Sequence, residues 1–422
     1  MKILFIHQNF PGQFKYLAPK LALMDHDVRA LTVRSATEGI WEGVTIQKYP
    51  LVRSSTKDQN PFLQDLETKL IRAESCLNAC LKLKEGGFTP DVVVAHAGWG
   101  ESLFIKECWP KTQLGIYCEY FYKFKGGDVG FDPEMQTLIP FEESKLRLKN
   151  LNNRLHFEVA DAAISPTLWQ ANTYPGPYRE KISVIHDGVD TSICAPNQNA
   201  YLILNKNGKE HRLNKGDEVI TFVNRNLEPY RGFHTFMRAL PKILRAKPNA
   251  RILIIGGSKV SYGFAPEKSR FGFDNWKDIF INEVAPYLSE ENWKNIYFLG
   301  LVDYVNYLNV LQISMVHVYL TYPFVLSWSM LESMSVGCAL IGSNTAPVLE
   351  VIKDGFNGEI TDFFDHEKLA DKVVALIDDP ERRNEMAKNA RQFIIENYDL
   401  ETVCMPRQIQ WVQNIYEQSI HN

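Results

Sequence analysis

Two arginines stand close together in the second half of this 422-residue chain. The apolar run Val219–Val223 is followed by Arg225, Arg231 and Gly232, where a helical pattern begins. Arginine makes charge-assisted, often bidentate hydrogen bonds to phosphate, and glycine permits a tight turn before the helix. The segment therefore predicts a diphosphate site at the carboxyl end of a strand. The alternative is that both arginines are solvated surface charges or partners in ion pairs.

A second candidate site lies between the apolar run Val316–Leu320 and a stretch with helical spacing, Ser329–Val336, which Gly337 ends. A helix N-terminus presents unpaired backbone N–H groups and the positive end of the helix dipole. The loop before this helix is therefore predicted to meet an anion or sugar hydroxyls. Glu332 lies in the first turns, where it could accept two vicinal hydroxyls or be a surface carboxylate that the dipole favours.

A histidine ends an apolar run in the first half of the chain. Asp91–Ala95 precedes His96, and Gly98 and Gly100 follow it. Ligands bind at the carboxyl ends of strands in α/β sheets, and glycines permit close approach to the backbone. His96 and Gly98 are therefore candidates for contacting an acceptor or a sugar, although a single histidine is more often structural.

The elements that must position these residues alternate along the chain. Short apolar runs, typical of strands buried on both faces of a parallel sheet, alternate with helical patterns. This alternation predicts an α/β protein with two doubly wound, Rossmann-like domains, at 1–195 and 196–399, facing a central cleft. The polar stretch 195–217 predicts a linker or insertion, and 400–422 predicts a terminal helix joined to the first domain.

Composition limits the kinds of partner and cofactor. Lys plus Arg is 46 and Asp plus Glu is 50, a formal net charge of -4, which offers no global field for nucleic acid. No apolar run reaches the ~18 residues of a membrane span, and Ile3–Ile6 is too short for a signal peptide, so a cytoplasmic protein is predicted.

No His cluster completes a zinc site with Cys76 and Cys80. We expect reduced thiols, no metal and no cofactor.

Together, and in this order, these motifs resemble the retaining glycosyltransferases of the GT-B fold, specifically glycosyltransferase family 4. The resemblance covers nearly the whole chain. It includes SVIHDGVDTSICAP (183–196) at the end of the first domain and GCALIGSNTAPVLEVIKDGFNG (337–358) after the helix predicted at Ser329–Val336. It implies metal-independent, retaining transfer of a hexose from a nucleotide sugar, UDP-glucose or a related UDP-sugar. The implied acceptor is a glycan or a polyprenyl-linked lipid in polysaccharide biosynthesis.

The resemblance also implies roles for individual residues. Arg225 and Arg231 would act in catalysis by neutralising the departing diphosphate, and Glu332 would hold the donor ribose. Tyr297–Val302 is similar to the loop that meets the nucleobase. The donor-binding residues that we expect are Gly12, Val302, Val325, Leu326, Ser327, Trp328 and Glu332.

Two positions depart from the family pattern. The first Glu of the family's Glu-x7-Glu motif would fall eight residues before Glu332, where this chain has Phe324. Because Phe accepts no hydrogen bond, we expect its ring to pack in the loop or against an apolar sugar face. Many relatives carry a histidine near the donor sugar, and Glu119 is the nearest match here. It is a catalytic candidate, or it could pair with Lys123 at i+4.

A basic segment at 145–155 has two interpretations. Its cations are Lys145, Arg147, Lys149 and Arg154, and its leucines at helical spacing are Leu148, Leu151 and Leu155. A basic amphipathic helix could touch anionic lipid at the inner face of the plasma membrane. The favoured interpretation is a core-packed helix with a solvated basic face.

Two other functions stay open. A sugar-nucleotide epimerase of the same fold would release UDP and an epimer without any acceptor. A non-catalytic sugar-nucleotide-binding protein, which Phe324 allows, would bind UDP without turnover.

Overall fold

A computed structural model describes residues 1–35, 37–56, 58–135, 141–206 and 208–421; the side chains of Lys206, Lys209 and 419–421 are outside this description. The chain divides into two compact units. Unit 1 comprises Met1–Val129, Thr137–Gly188 and Leu400–Asn422, and unit 2 comprises Gly130–Gln136 and Val189–Asp399. Unit 2 therefore begins before residue 195, where the sequence placed the boundary, and it also takes a short segment from the first half of the chain.

Unit 1 alternates strands and helices up to residue 184. Its elements are β1 (Lys2–Ile6), α1 (Leu17–Leu23), β2 (Asp27–Thr32), β3 (Gly39–Trp41), β4 (Val44–Lys48), α2 (Gln64–Glu85), β5 (Val92–His96), α3 (Ile105–Cys108), β6 (Gln113–Tyr117), α4 (Glu142–Lys149), α5 (Leu151–Val159), β7 (Ala162–Ser165), α6 (Leu168–Thr173), α7 (Gly176–Arg179) and β8 (Ile182–Val184).

The sheet of unit 1 has the strand order β3-β4-β2-β1-β5-β6-β7-β8. Its pairs are parallel except that β3 runs antiparallel to β4. All five residues of β5 are buried, as expected for a parallel strand covered on both faces. Because β1 pairs with β2 on one side and with β5 on the other, the order of connection reverses between β1 and β5.

Unit 2 repeats the alternation after an antiparallel hairpin. Its elements are β9 (Tyr201–Lys206), β10 (Lys209–Asn214), β11 (Val219–Asn226), α8 (Phe233–Ala246), β12 (Arg251–Gly257), α9 (Lys268–Phe271), α10 (Trp276–Val284), α11 (Glu290–Lys294), β13 (Ile296–Gly300), α12 (Tyr304–Ile313), β14 (Val316–Tyr319), α13 (Trp328–Ser335), β15 (Ala339–Ser343), α14 (Ala346–Leu349), β16 (Glu359–Thr361), α15 (His366–Asp378) and α16 (Pro380–Tyr398).

The main sheet of unit 2 is fully parallel, with the order β13-β12-β11-β14-β15-β16. This is the doubly wound order in which the connections reverse once, here between β11 and β14. Apolar side chains cover both faces of the sheet, in two separate clusters. A crevice forms where the connections reverse, because the loops after the two neighbouring strands leave toward opposite faces.

The stretch 195–217 lies inside unit 2, so the interpretation as a linker between the two units is wrong, whereas the alternative of an insertion is not contradicted. Within the described residues, which exclude Asn207, this stretch forms the β9–β10 hairpin. Leu202, Leu204 and Leu213 of the hairpin are buried in one of the two clusters of unit 2. The short apolar run Tyr201–Leu204 was a strand signal, but the abundance of Asn and Lys around it concealed it.

The interpretation of 145–155 as one amphipathic helix is wrong. A first helix, α4, ends at Lys149 and a second, α5, begins at Leu151. The side chain of Asn150 lies at the junction, accepts the N–H of Tyr122 at 3.0 Å and donates to the carbonyl of Tyr122 at 2.8 Å. Of the three leucines placed on one face, none is buried, and Leu155 is 37% exposed.

The chain ends in helix α17 (Met405–His421), which belongs to unit 1. Trp411 and Ile415 of this helix pack over Gly115 in β6, where an added Cβ would lie 2.6 Å from the Trp411 ring. A glycine in the strand therefore makes room for the terminal helix. No helix in the described part of the chain is long and apolar enough to cross a membrane.

Glu101 of unit 1 makes stability depend on pH. The residue is 1% exposed, and its carboxylate oxygens have no hydrogen-bond partner in the described structure. Burial raises its pKa from 4.5 to about 7. Because the folded state holds this proton more tightly than the unfolded state, the stabilisation is present below pH 4.5 and is lost as pH rises through 7.

We therefore expect Glu101→Gln to become more stable relative to the wild type as pH rises from 4 to 8. The relative change should be about 3 kcal/mol, from the size of the pKa shift. Urea unfolding at a series of pH values measures it, and exposed Glu107→Gln is the matched control. Parallel pH profiles for the wild type and Glu101→Gln would contradict the burial of a titrating carboxyl.

Candidate functional site

Arg225 lies where β11 ends, next to the reversal point of the unit 2 sheet. The register of β11 with β12 shifts between Val223 and Asn226, and Arg225 falls within this irregular stretch, exposed to solvent. Within the described ranges its guanidinium makes no hydrogen bond or ion pair. Arg225 is therefore available to an anion.

Arg231 has a different environment, because it is only 5% exposed. Its Nη1 donates to the Tyr319 hydroxyl at 3.2 Å, the Thr321 hydroxyl at 2.7 Å and the Val325 carbonyl at 3.0 Å. These acceptors span the end of β14 and the loop that leads to α13. The sequence analysis gave both arginines the same role, but their environments differ. Arg225 is exposed to solvent, whereas Arg231 is buried and makes hydrogen bonds that hold the loop 320–327 in place.

Backbone groups of the loop 320–327 are partly committed to internal bonds. The N–H of Ser327 donates to the Tyr319 hydroxyl at 2.9 Å, so it is not one of the unpaired N–H groups expected before this helix. The N–H groups of Val325 and Leu326 donate no hydrogen bond within the part of the chain that the structure describes. Trp328 is the first residue of α13, and Ser327 caps this helix by accepting from Ser329.

Phe324 packs inside the loop. Its side chain is 7% exposed, and its ring meets those of Tyr262 at 5.1 Å and Tyr230 at 5.9 Å, both edge to face. Such aromatic pairs add to the stabilisation from burial. The position at which the family carries its first Glu is thus part of an apolar aromatic cluster.

A cavity of about 300 Å³ opens at the carboxyl ends of the unit 2 strands. Strand ends, the segment after β13, helix α12 and the start of α13 each contribute to its wall. Its lining residues are Val223, Asn224, Arg225, Ile255, Leu301, Val302, Tyr304, Tyr307, Ser327 and Ser329. Apolar side chains, two phenols and one unpaired cation thus share one concave site, the usual composition of a small-molecule pocket.

Two tyrosines that the sequence analysis did not identify hold Glu332. The hydroxyls of Tyr304 and Tyr307 donate to its two carboxylate oxygens at 3.0 and 2.5 Å. Tyr304 also lies 3.3 Å from the Cys194 sulfur. Burial, and then the charge of Glu332, raise the pKa of both phenols, so they remain hydrogen-bond donors. Their i, i+3 spacing on α12, after the segment that ends at Val302, was the available signal.

Glu228 is a buried carboxyl group that lies three residues before Arg231 in the chain. It is 1% exposed and accepts the N–H groups of Ser261 at 2.8 Å and Tyr262 at 3.3 Å. Burial raises its pKa to about 7, against the opposing effect of these bonds and of Arg231 and Arg225. The acid thus ties the loop after β12 to the turn that carries Arg231.

In unit 1, His96 lies at the reversal point between β1 and β5. Its Nδ1 accepts the N–H of Gly98 at 3.1 Å, and its ring stacks with Trp99 at 4.2 Å and Tyr117 at 5.3 Å. Burial holds its pKa well below the usual value, so the ring is neutral. Because Nδ1 accepts a hydrogen bond, the proton lies on Nε2.

The structure brings Glu119 and His96 together. The Glu119 Oε2 lies 3.8 Å from His96 Nε2. The segment is not helical, so the i+4 spacing to Lys123 has no helical geometry, and Lys123 donates to the carbonyl of Asn172 at 3.2 Å. Gly98 permits the arrangement, since a Cβ there would lie 2.8 Å from the His96 ring.

Gly12 packs against a histidine that the sequence analysis missed. Its φ is +47°, and an added Cβ would lie 2.2 Å from the ring of His7. His7 accepts the N–H of Asn9 at 3.0 Å, contacts Gln13 at 2.7 Å and lies 5.3 Å from the His96 ring. Burial lowers the pKa of His7 to about 4.

His186 accepts the N–H of Gly188 at 3.0 Å in the same way as His7 accepts that of Asn9. A histidine two residues before Asn or Gly at a strand end is therefore the recurring signal in the sequence.

One group of side chains in the described residues has the ligand types of a metal site. Atoms of Asp132, Glu134 and His234 lie within 4.8 Å of one another. However, both oxygens of Glu134 accept from Arg238, and Asp132 accepts from Tyr322 at 2.7 Å. A cation would have to displace these partners, so the donor set fits an internal hydrogen-bond network better.

Comparisons with known proteins agree with this architecture. Residues 24–194 match a family model described as glycosyl transferase family 4 group, and residues 205–393 match one described as glycosyl transferases group 1. An uncharacterized glycosyltransferase of Methanocaldococcus jannaschii is 30% identical over 25% of this chain, and the D-inositol 3-phosphate glycosyltransferase of Segniliparus rotundus is 32% identical over 21%. The matched segments span 27% and 18% of those relatives' own lengths.

Solved structures share the fold over the whole chain. Sucrose-phosphate synthase from Thermosynechococcus elongatus is 14% identical, with a TM-score of 0.70 over 99% of this chain and 100% of that one. Anabaena HepE in complex with UDP is 14% identical, with a TM-score of 0.62 over 98% and 100%. The two consecutive family models, together with a fold shared along the full length, show that this chain belongs to glycosyltransferase family 4 and has the GT-B fold.

Proposed function

We propose that the protein transfers a hexose from a UDP-sugar to a hydroxyl of a glycan or lipid-linked acceptor, with retention at the anomeric carbon and without a metal. The cavity of unit 2 supports a nucleotide-sugar site most directly, because it combines an unpaired Arg225 and the segment before α12 with the two tyrosines that hold Glu332. The structures of HepE with UDP and with UDP-glucose lend support by similarity.

Each part of the cavity has a place in donor binding. Leu301 and Val302 would pack against the nucleobase, and Glu332 would accept the ribose hydroxyls while the two tyrosines fix its carboxylate. Arg225 would pair with the diphosphate. The backbone N–H groups of Val325 and Leu326, which precede α13, would face the phosphate or sugar oxygens, where the helix dipole favours negative charge.

The chemical step exchanges one bond for another at the anomeric carbon. The bond from this carbon to the β-phosphate oxygen breaks, the acceptor oxygen bonds to the carbon, and the acceptor proton passes to the departing diphosphate. Negative charge therefore builds on the leaving group, where preorganised donors give the largest catalytic effect. His96, protonated on Nε2, and Glu119 remain our candidates for contacting a sugar or acceptor hydroxyl.

Phe324 favours a second candidate function, a protein that binds a nucleotide sugar without transferring it. The aromatic packing of Phe324 places no carboxylate where the family's first Glu falls. Incubation with UDP-glucose and a panel of glycan and lipid acceptors separates the candidates. A glycosylated acceptor supports transfer, a free epimer supports an epimerase, and UDP-sugar binding with no product supports the binding protein.

The two arginines should respond differently to alanine. Arg225→Ala should leave the thermal midpoint unchanged and lower kcat about 10²-fold, as for loss of one preorganised donor. Arg231→Ala should lower the thermal midpoint by several degrees, about 2–4 kcal/mol, because it leaves buried acceptors unpaired. Arg245→Ala, at the far end of α8 and exposed, is the matched control. Equal loss of stability in both variants would refute this division of roles.

Glu332→Gln should weaken discrimination between UDP and 2'-deoxy-UDP. The wild type should prefer UDP about tenfold, since a charge-assisted bond to the ribose contributes about 1.5 kcal/mol or more. Titration calorimetry with both nucleotides measures the preference, and exposed Glu381→Gln serves as control. An unchanged preference in Glu332→Gln would show that this residue does not touch the ribose.

A further inference from the structure

A short segment from the first half of the sequence packs as part of unit 2. We name its residues 131–135 the strap. The strap follows β6 of unit 1 along the chain but belongs to unit 2. Met135 is buried in a core cluster of unit 2. Phe131 places its ring 5.0 Å from Tyr322 and 5.3 Å from Phe363. The strap is therefore an integral part of the surface on which the loop 320–327 rests.

Asp132 makes the polar contacts of the strap. It is 3% exposed, and its Oδ2 accepts from the Tyr322 hydroxyl at 2.7 Å and lies 3.2 Å from His234 Nε2. Its Oδ1 accepts the N–H of Glu134 at 2.9 Å. Although burial raises it, the pKa of Asp132 is held below the usual value by the adjacent His234 ring and by the hydrogen bond from Tyr322. Such charge-assisted bonds in a buried setting are strong and directional.

The two partners of Asp132 belong to the segments that carry the donor-site machinery. Tyr322 lies in the loop 320–327, and its N–H donates to the carbonyl of Tyr230 at 2.9 Å. His234 is in the first turn of α8, directly after the turn that carries Arg231. One carboxylate therefore bridges the loop before α13 and the start of α8, and Arg231 makes its own bonds between the same two segments.

We propose that Asp132 is a positioning residue for the donor site, which acts through Tyr322 and His234 to hold the loop 320–327 in its binding conformation. The proposal rests on the proposed function for its effect on UDP-sugar, but its effect on the loop does not require any ligand. Since Asp132 is not one of the residues that line the cavity, it should act on donor affinity more than on the chemical step.

The test uses full-length Asp132→Asn and Tyr322→Phe, each nearly isosteric with the wild type. Both should raise KM for UDP-glucose about tenfold while kcat changes less than threefold, because each removes one buried charge-assisted bond. The double variant should be no worse than the single variants, since all three lack the same bond. Hydrogen–deuterium exchange of the ligand-free protein should rise in peptides covering 320–327.

Glu134→Gln is the matched control. It removes a charge from the same strap, but its carboxylate pairs with Arg238 rather than with Tyr322 or His234, and exposed pairs contribute little. Exchange in 320–327 and KM should therefore stay within twofold of the wild type. Should Asp132→Asn fail to fold, as judged by circular dichroism, Tyr322→Phe alone carries the test.

The outcomes separate this proposal from the proposed function. Faster exchange of the loop in Asp132→Asn, with no UDP binding by any variant, would support the positioning role and refute the donor site. Normal UDP binding by the wild type, with unchanged exchange and KM in Asp132→Asn and Tyr322→Phe, would overturn the positioning role. Stabilisation of the wild type but not of Asp132→Asn by Mn²⁺ would also overturn it, because Asp132 would then be a metal ligand.

Discussion

The buried guanidinium of Arg231 is the interaction on which the candidate donor site depends. It joins the end of β14 to the loop 320–327 through Tyr319, Thr321 and Val325. A buried cation is costly unless its donors are satisfied, so the loop can take few conformations without leaving this charge unpaired. Of the two arginines, Arg225 is therefore the one that can meet a ligand. Arg231 thus stabilises the loop, and Arg225 is the arginine that we expect to bind the ligand.

Neutral histidines provide a comparable constraint in unit 1. His7, His96 and His186 each lie at or just after the end of a strand and accept the N–H of the residue two positions ahead. Burial lowers their pKa values, and the accepted bond fixes the proton on Nε2. These strand ends, of which those of β1 and β5 lie at the reversal point, therefore present oriented donors rather than charges. Such groups suit recognition of hydroxyls, whereas the exposed arginine of unit 2 suits an anion.

The sequence was a good guide to the strands and a poor guide to side-chain environment. Apolar runs such as Val219–Val223 marked the buried parallel strands because both faces of such a strand must be apolar. The helix at 145–155 was wrong because Asn150 bonds to the backbone of Tyr122, a contact that periodicity does not encode. Periodicity likewise does not distinguish a buried Arg231 from an exposed Arg225, since burial depends on how the loop after β14 folds back.

Family membership narrows the chemistry, and the cavity of unit 2 is where we propose that the donor binds. The most direct test is hydrogen–deuterium exchange of the full-length wild-type protein with and without UDP. The account predicts protection confined in unit 2 to peptides covering 223–226, 300–307 and 325–332, which line the cavity or hold Glu332. Binding of UDP with no protection in these peptides, or no binding at millimolar UDP, would contradict a nucleotide-sugar site in this cavity.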